Sequence, residues 1–128
     1  MDPKQEKVRY SDEELQEFKE LILQKIEQAQ ESYNRLKDIL MVDESDPTFK
    51  LMEEGASTLQ KEISSQQAQR QLDFIRKLQA ALVRIENKTY GICRITGKLI
   101  PRERLLAVPH ATLSIEGKEI EARNKAKR

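Results

Sequence analysis

The sequence has few of the residues on which compact or catalytic domains usually depend. Among its 128 residues there are one cysteine, one histidine, three phenylalanines, three tyrosines, four glycines and no tryptophan. A single cysteine excludes an internal disulfide. The sequence also lacks a glycine-rich phosphate loop and a histidine pair at metal-binding spacing. These absences argue against an enzyme.

Long hydrophobic runs and a strong net charge are missing as well. The longest apolar runs, such as residues 21–23 and 80–83, are far too short to span a membrane, and residues 1–12 lack the apolar stretch of a signal peptide. The formal net charge of +1 is not that of a nucleic-acid-binding polycation. We therefore expect a cytoplasmic protein without membrane binding or direct sequence-specific DNA binding.

The residues that are present favour long helices. Charged residues make up 35% of the chain and hydrophobic residues 38%, which suits a narrow apolar stripe better than a round core. Ser11 and Glu14 fit a capping box at a helix start. From there apolar residues recur at steps of three and four, which predicts a helix from about 12 to 41. The members of this stripe are Leu15, Phe18, Ile22, Ile26, Ala29, Tyr33, Leu36 and Leu40.

A turn and a second long helix follow. Residues 42–49 break the pattern around Pro47, and helical character resumes near residue 49 or 50 and continues to about 87. Its apolar positions form two stripes, separated by the polar run 64–71; they are Met52, Ala56, Leu59 and Ile63, then Phe74, Leu78, Ala81 and Ile85. Two long helices joined by a short turn predict a mainly α fold, with a long antiparallel coiled-coil hairpin over residues 12–87 and its tip at about 42–54. Residues 1–11 are then an N-terminal extension.

Residues 88–128 predict a small C-terminal globule with a terminal helix. We expect a short hairpin around Thr96 and Gly97, a helical turn over 102–107 and a final helix from 114 to about 126. Globules of this size often need a metal or a disulfide, so this one is expected to dock on the open end of the hairpin. Its apolar residues are Ile92, Ile95, Leu99, Ile100, Leu105, Leu106, Val108, Leu113, Ile115 and Ile120.

Two segments resemble the DksA/TraR family of bacterial transcription factors. In residues 75–93 a long amphipathic helix runs into Tyr90-Gly91-Ile92-Cys93, as at the start of the family's zinc finger. The stretch Leu99-Ile100-Pro101-x-x-Arg104-Leu105-x-Ala107-x-Pro109 is similar to the family's linker between its two cysteine pairs. The resemblance implies a zinc-finger-like globule on a coiled-coil hairpin, and a non-enzymatic regulator of transcription.

The finger positions depart from the family pattern. Family members hold zinc through two Cys-x-x-Cys pairs, whereas here the pairs read Cys93-Arg94-Ile95-Thr96 and Ser114-Ile115-Glu116-Gly117. Three of the four ligand positions are lost, and His110 lies outside them, so we expect a degenerate finger without zinc or another cofactor. Cys93 is then a small buried residue or, as the alternative, a redox or metal thiol. Whether ppGpp participates is left open by the sequence.

The resemblance also implies the partner, RNA polymerase. In this family the coiled coil enters the secondary channel, and acidic residues at its tip act near the catalytic centre. The candidates here are Asp43, Asp46, Glu53 and Glu54 at the tip, with a basic partner-binding surface on the globule at Arg94, Lys98, Arg102 and Arg104.

The tip matches the family poorly. The family has two aspartates three apart followed by an alanine, and these positions fall here on Lys50, Glu53 and Gly55. The acids are alternatively a solvated turn with capping carboxylates. The alternative for the whole chain is a coiled-coil adaptor or structural protein that reuses the scaffold, and direct association with polymerase separates the two.

Overall fold

The computed structural model describes residues 8–41 and 54–127, with side chains from residue 59 onward in the second range. It contains helices α1 (Asp12–Leu40), α2 (Glu54–Glu86), α3 (Arg102–Ala107) and α4 (Ile115–Ala126). The prediction of a mainly helical fold with two long helices is confirmed. The predicted start of the second helix near residue 49 or 50 lies outside the described residues. None of the described helices combines the length and apolar character that a bilayer crossing requires.

The N-terminus of α1 is fixed by the predicted capping box. The Glu14 amide donates to Ser11 Oγ, and the Ser11 amide donates to Glu14 Oε1, both over 3.1 Å. Each bond satisfies a backbone donor near the helix start that has no partner within the helix. Acidic residues in the first turn add a favourable interaction with the helix dipole.

The chain forms two compact units. Unit 1 comprises the described residues up to Leu23 together with those from Leu78 onward, and unit 2 the described residues between Gln24 and Lys77. Unit 1 thus contains the beginning of α1, the end of α2 and the whole globule. Unit 2 contains the remaining parts of the two long helices.

An aromatic cluster lies at the centre of unit 1. The Phe18 ring is 1% exposed and lies between Tyr10, at 5.3 Å between ring centroids, and Tyr90, at 5.2 Å. The Tyr10 hydroxyl donates to the carbonyl of Ile100, and the Tyr90 hydroxyl donates to that of Pro109 over 2.8 Å. Both hydroxyls keep a partner although the rings are buried. The cluster therefore fastens the globule to α1 through rings and hydrogen bonds together.

The globule begins directly after α2, in a segment that contains two residues with positive φ. Lys88 has φ 63° and Gly91 has φ 80°. A Cβ on Gly91 would lie 2.6 Å from the Tyr10 ring, so this position requires glycine for space as well as for its backbone angle. A single antiparallel bridge then joins Ile92 to Leu99 around Gly97, which has φ 72°. This agrees with the predicted hairpin.

The globule buries only part of the apolar set expected from the sequence. Ile100 and Leu105 are fully buried and Leu113 is 8% exposed, whereas Leu106 and Ile115 are largely exposed at 49% and 64%. The reason is that Tyr90, Cys93 and the aromatic cluster fill much of the interior, leaving little room for the rest. The globule packs against α1 and the aromatic cluster. This contact buries apolar surface that a larger globule would bury in its own core.

In the first half of α2 the buried residues are not the ones that the sequence predicted. Leu59 and Ile63 are 58% and 41% exposed, while Ser64 and Ala68 are buried. One heptad before the buried Ile75 lies Ala68, and four residues before Ala68 lies Ser64, so the seam continues through small residues at coiled-coil spacing. Leu59 and Ile63, the described side chains of the first predicted stripe, therefore flank the seam.

Candidate functional site

Most of the predicted tip lies outside the described residues. Asp43, Asp46 and Glu53 belong to the range 42–53, and Glu54 is the first residue of α2, with its side chain likewise outside the description. Their role at the tip of the coiled coil therefore stays a prediction.

Three of the four predicted basic residues on the globule make contacts within unit 1. Arg94 pairs with Glu121 on α4. Arg102 pairs with Glu17 over 2.9 Å, and its guanidinium lies 5.3 Å from the centre of the Phe18 ring. These contacts join the globule to α4 and to α1. Because the ion pairs are exposed, each contributes little to stability.

Arg104 and Lys98 differ in how they are held. Arg104 Nε donates to the carbonyl of Leu113 over 2.7 Å, which fixes the loop before α4. The Lys98 side chain is exposed and forms no ion pair with any described residue. Among the four predicted basic residues, Lys98 is therefore the one whose charge is most available to bind a partner.

Cys93 lies at the position where the family's finger begins, and it is 1% exposed. Its sulfur accepts hydrogen bonds from the Thr96 amide and the Ser114 hydroxyl, each over 3.5 Å. Burial raises the pKa of the Cys93 thiol, but the hydrogen bonds from Ser114 and Thr96 outweigh burial and lower the pKa from 9.0 to about 6. Cys93 is therefore a buried residue whose surroundings favour the thiolate.

The N-terminus of α4 completes this environment. Ser114 is the N-cap of α4, and its hydroxyl also accepts from the Gly117 amide over 3.0 Å. A Cβ on Gly117 would lie 2.5 Å from Cys93 Sγ, so α4 packs directly against the sulfur. This packing was not predicted from the sequence, although a serine before a predicted helix is a recognisable N-cap signal.

Comparisons with known proteins agree with this geometry. The prokaryotic DksA/TraR C4-type zinc finger family matches residues 88–119. The chain is 28% identical over 121 residues to the RNA polymerase-binding transcription factor DksA of Caulobacter vibrioides, covering 91% of this chain and 82% of that protein. It is also 50% identical over 44 residues to YteA of Bacillus subtilis, which is 34% of this chain but only 18% of YteA.

A solved structure resembles the fold over most of the chain. Transcription factor DksA2 from Pseudomonas aeruginosa matches with a TM-score of 0.69 and 25% sequence identity, covering 88% of this chain and 85% of that one. The expectation of a non-enzymatic protein agrees with the transcription-factor names of these relatives.

The expectation that the chain takes no zinc is corrected by the family match, because a C4-type zinc finger points to zinc binding. The residues around Cys93 do not form the expected four-sulfur site, since Thr96, Ser114 and Gly117 stand at the other three positions. In the described part of the chain no three residues among His, Cys, Asp and Glu are grouped as metal ligands.

The family resemblance rests on three independent matches. The finger match covers the globule, the Caulobacter relative covers nearly the whole chain, and the Pseudomonas structure shares the fold. Residues 88–119 therefore match the DksA/TraR zinc finger family, and the chain resembles DksA proteins in sequence and fold over most of its length.

Proposed function

We propose that the chain is a transcription regulator that binds RNA polymerase. The observation that carries this proposal is the likeness to DksA proteins over nearly the full chain, in sequence for the Caulobacter protein and in fold for the Pseudomonas one. The Caulobacter protein is named an RNA polymerase-binding transcription factor. The chain would then act in the cytoplasm, where bacterial polymerase is found.

The finer proposal concerns how the polymerase is reached. The coiled coil enters the secondary channel, and the acids Asp43, Asp46, Glu53 and Glu54 lie near the catalytic centre. A pair of helices is roughly 20 Å across, which suits a narrow channel. Carboxylates at its end would act electrostatically on a magnesium site or on nearby basic loops. Lys98 contributes a contact from the globule.

The adaptor alternative is favoured by one observation, the departure of Lys50, Glu53 and Gly55 from the family's tip pattern. Direct binding distinguishes the two functions. Purified chain is mixed with bacterial core RNA polymerase, and the complex is followed by size-exclusion chromatography and by fluorescence anisotropy of a labelled chain. We expect a saturable complex. Absence of binding at micromolar concentrations would favour the adaptor.

A further inference from the structure

A groove between α1 and α2 lies entirely within unit 2. It is an open surface groove with a volume of about 500 Å³. Its lining includes Arg35, Leu36 and Ile39 from α1, and Gln67, Arg70 and Gln71 from α2. None of the described residues that line the groove is acidic. The groove therefore carries two formal positive charges and no negative one.

Neither guanidinium forms an ion pair with a described neighbour. Arg35 Nη2 donates to the hydroxyl of Ser32 over 3.2 Å, and this hydroxyl also lines the groove. Asp73, one turn beyond Arg70 on α2, forms its ion pair with Arg76 instead, over 3.6 Å. In the described parts of the chain, Arg35 and Arg70 form no ion pair. Both cations remain available to an external anion.

The other lining residues specify the kind of anion. A guanidinium binds a carboxylate through two parallel hydrogen bonds, and the side-chain amides of Gln67 and Gln71 add further N–H donors. Leu36 is half-buried and Ile39 is 38% exposed, so the groove also offers apolar surface. This combination matches a protein segment in which acidic residues flank an apolar side chain.

A nucleic-acid backbone fits the same groove less well. Glu31 and Asp38 lie within one helical turn of Arg35, and Asp73 lies within one turn of Arg70. These carboxylates interrupt the positive charge, so the surface offers two separate guanidiniums and not the continuous basic stripe that an extended run of phosphates requires. Two separate guanidiniums can each bind one carboxylate of a protein segment. The near-neutral chain adds no long-range attraction for a polyanion.

We propose that this groove, the Arg35/Arg70 groove, is a docking site for an acidic, partly apolar segment of RNA polymerase. The inference rests on the proposed function, and it assigns part of the polymerase contact to the shaft of the coiled coil. Arg35 and Arg70 provide charge-dependent attraction, while Leu36 and Ile39 bury an apolar side chain of the partner.

The test compares two double variants that remove the same charge. R35Q/R70Q removes the groove cations, and K25Q/K37Q removes two α1 lysines of unit 2 that do not line the groove. Binding to core polymerase is measured by anisotropy at several salt concentrations, and circular dichroism verifies that both variants are folded. We expect Kd to rise about tenfold for R35Q/R70Q, with a weaker salt dependence, and to stay within about twofold for K25Q/K37Q.

Three results would overturn the inference in distinguishable ways. If wild-type chain binds polymerase and R35Q/R70Q binds equally well, the groove is not a docking site, although the proposed function stands. If a labelled single-stranded oligonucleotide binds the isolated chain and R35Q/R70Q abolishes that binding, the groove recognises phosphates instead. If wild-type chain does not bind polymerase, the proposed function fails and the docking site fails with it.

Discussion

At the scale of single residues, the buried sulfur of Cys93 is surrounded by hydrogen-bond donors and not by the sulfurs of other cysteines. We expect its thiol to titrate near pH 6, the pKa to which the Ser114 and Thr96 hydrogen bonds lower it. The ultraviolet absorbance of the thiolate, followed against pH, measures this value. S114A removes the strongest of the hydrogen bonds that lower the pKa, so the transition should move to higher pH. A transition near pH 9 in the wild-type chain would contradict the prediction.

The same shift has a consequence for stability. Between about pH 6 and 9.0 the folded chain holds a thiolate while the unfolded chain still binds the proton, so the free energy of unfolding should rise with pH across this window. As pH falls through about 6, this contribution is lost. Chemical denaturation at several pH values tests it, with C93S as the control that should remove this part of the pH dependence.

Gly117 is required by the packing of α4 on that sulfur. In G117A the new Cβ would lie 2.5 Å from Cys93 Sγ, so the helix or the sulfur must move. Alanine gains about 1 kcal/mol of helix propensity, but overpacking costs about 1–3 kcal/mol, and we expect net destabilisation by thermal unfolding. In a C93A background the sulfur is gone, and G117A should become neutral or stabilising. Equal effects of G117A in both backgrounds would argue against this contact.

At the scale of elements, the short helix α3 contributes one fully buried leucine to the globule. Leu105 is fully buried and Leu106 is 49% exposed. L105A should lower the free energy of unfolding by about 2–5 kcal/mol, while L106A, in the same helix, should change it by less than about 0.5 kcal/mol. Amide exchange should quicken across residues 90–115 in L105A only. Unchanged protection there would show that the globule is held by other contacts.

The sequence predicted correctly those elements that a strong local pattern marks. The capping box at Ser11 and Glu14 and the apolar stripe of α1 are strong local patterns, and the structure shows both. In the first half of α2 the hydrophobic pattern pointed to Ile63, whereas the buried residue is its neighbour Ser64. Small residues such as those of this seam are hardly more hydrophobic than the exposed residues beside them. Only their spacing from Ile75 indicates that they are buried.

At the scale of the whole molecule, the sequence predicted the resemblance to DksA proteins but not the arrangement of the charges. The basic residues on the globule were predicted as a partner surface, yet Arg94 and Arg102 are engaged by Glu121 and Glu17, which are distant in sequence. Conversely, Arg35 and Arg70 belong to different helices, and only the fold brings them to one groove. Such charge pairing depends on three-dimensional neighbours that no local pattern encodes.

The acidic segment is where the family resemblance is weakest and where function is most directly testable. Replacing Asp43, Asp46, Glu53 and Glu54 together with Asn or Gln removes four negative charges while nearly preserving side-chain shape. In the proposed complex the rest of the chain supplies most of the contact area, so we expect polymerase binding to weaken only modestly and the effect on transcription in vitro to be largely lost. Quantitative transcription assays with matched occupancy of polymerase separate these two results. A quadruple variant that regulates like the wild type would show that the acids form only a solvated turn, and that regulation comes from occupation of the polymerase alone.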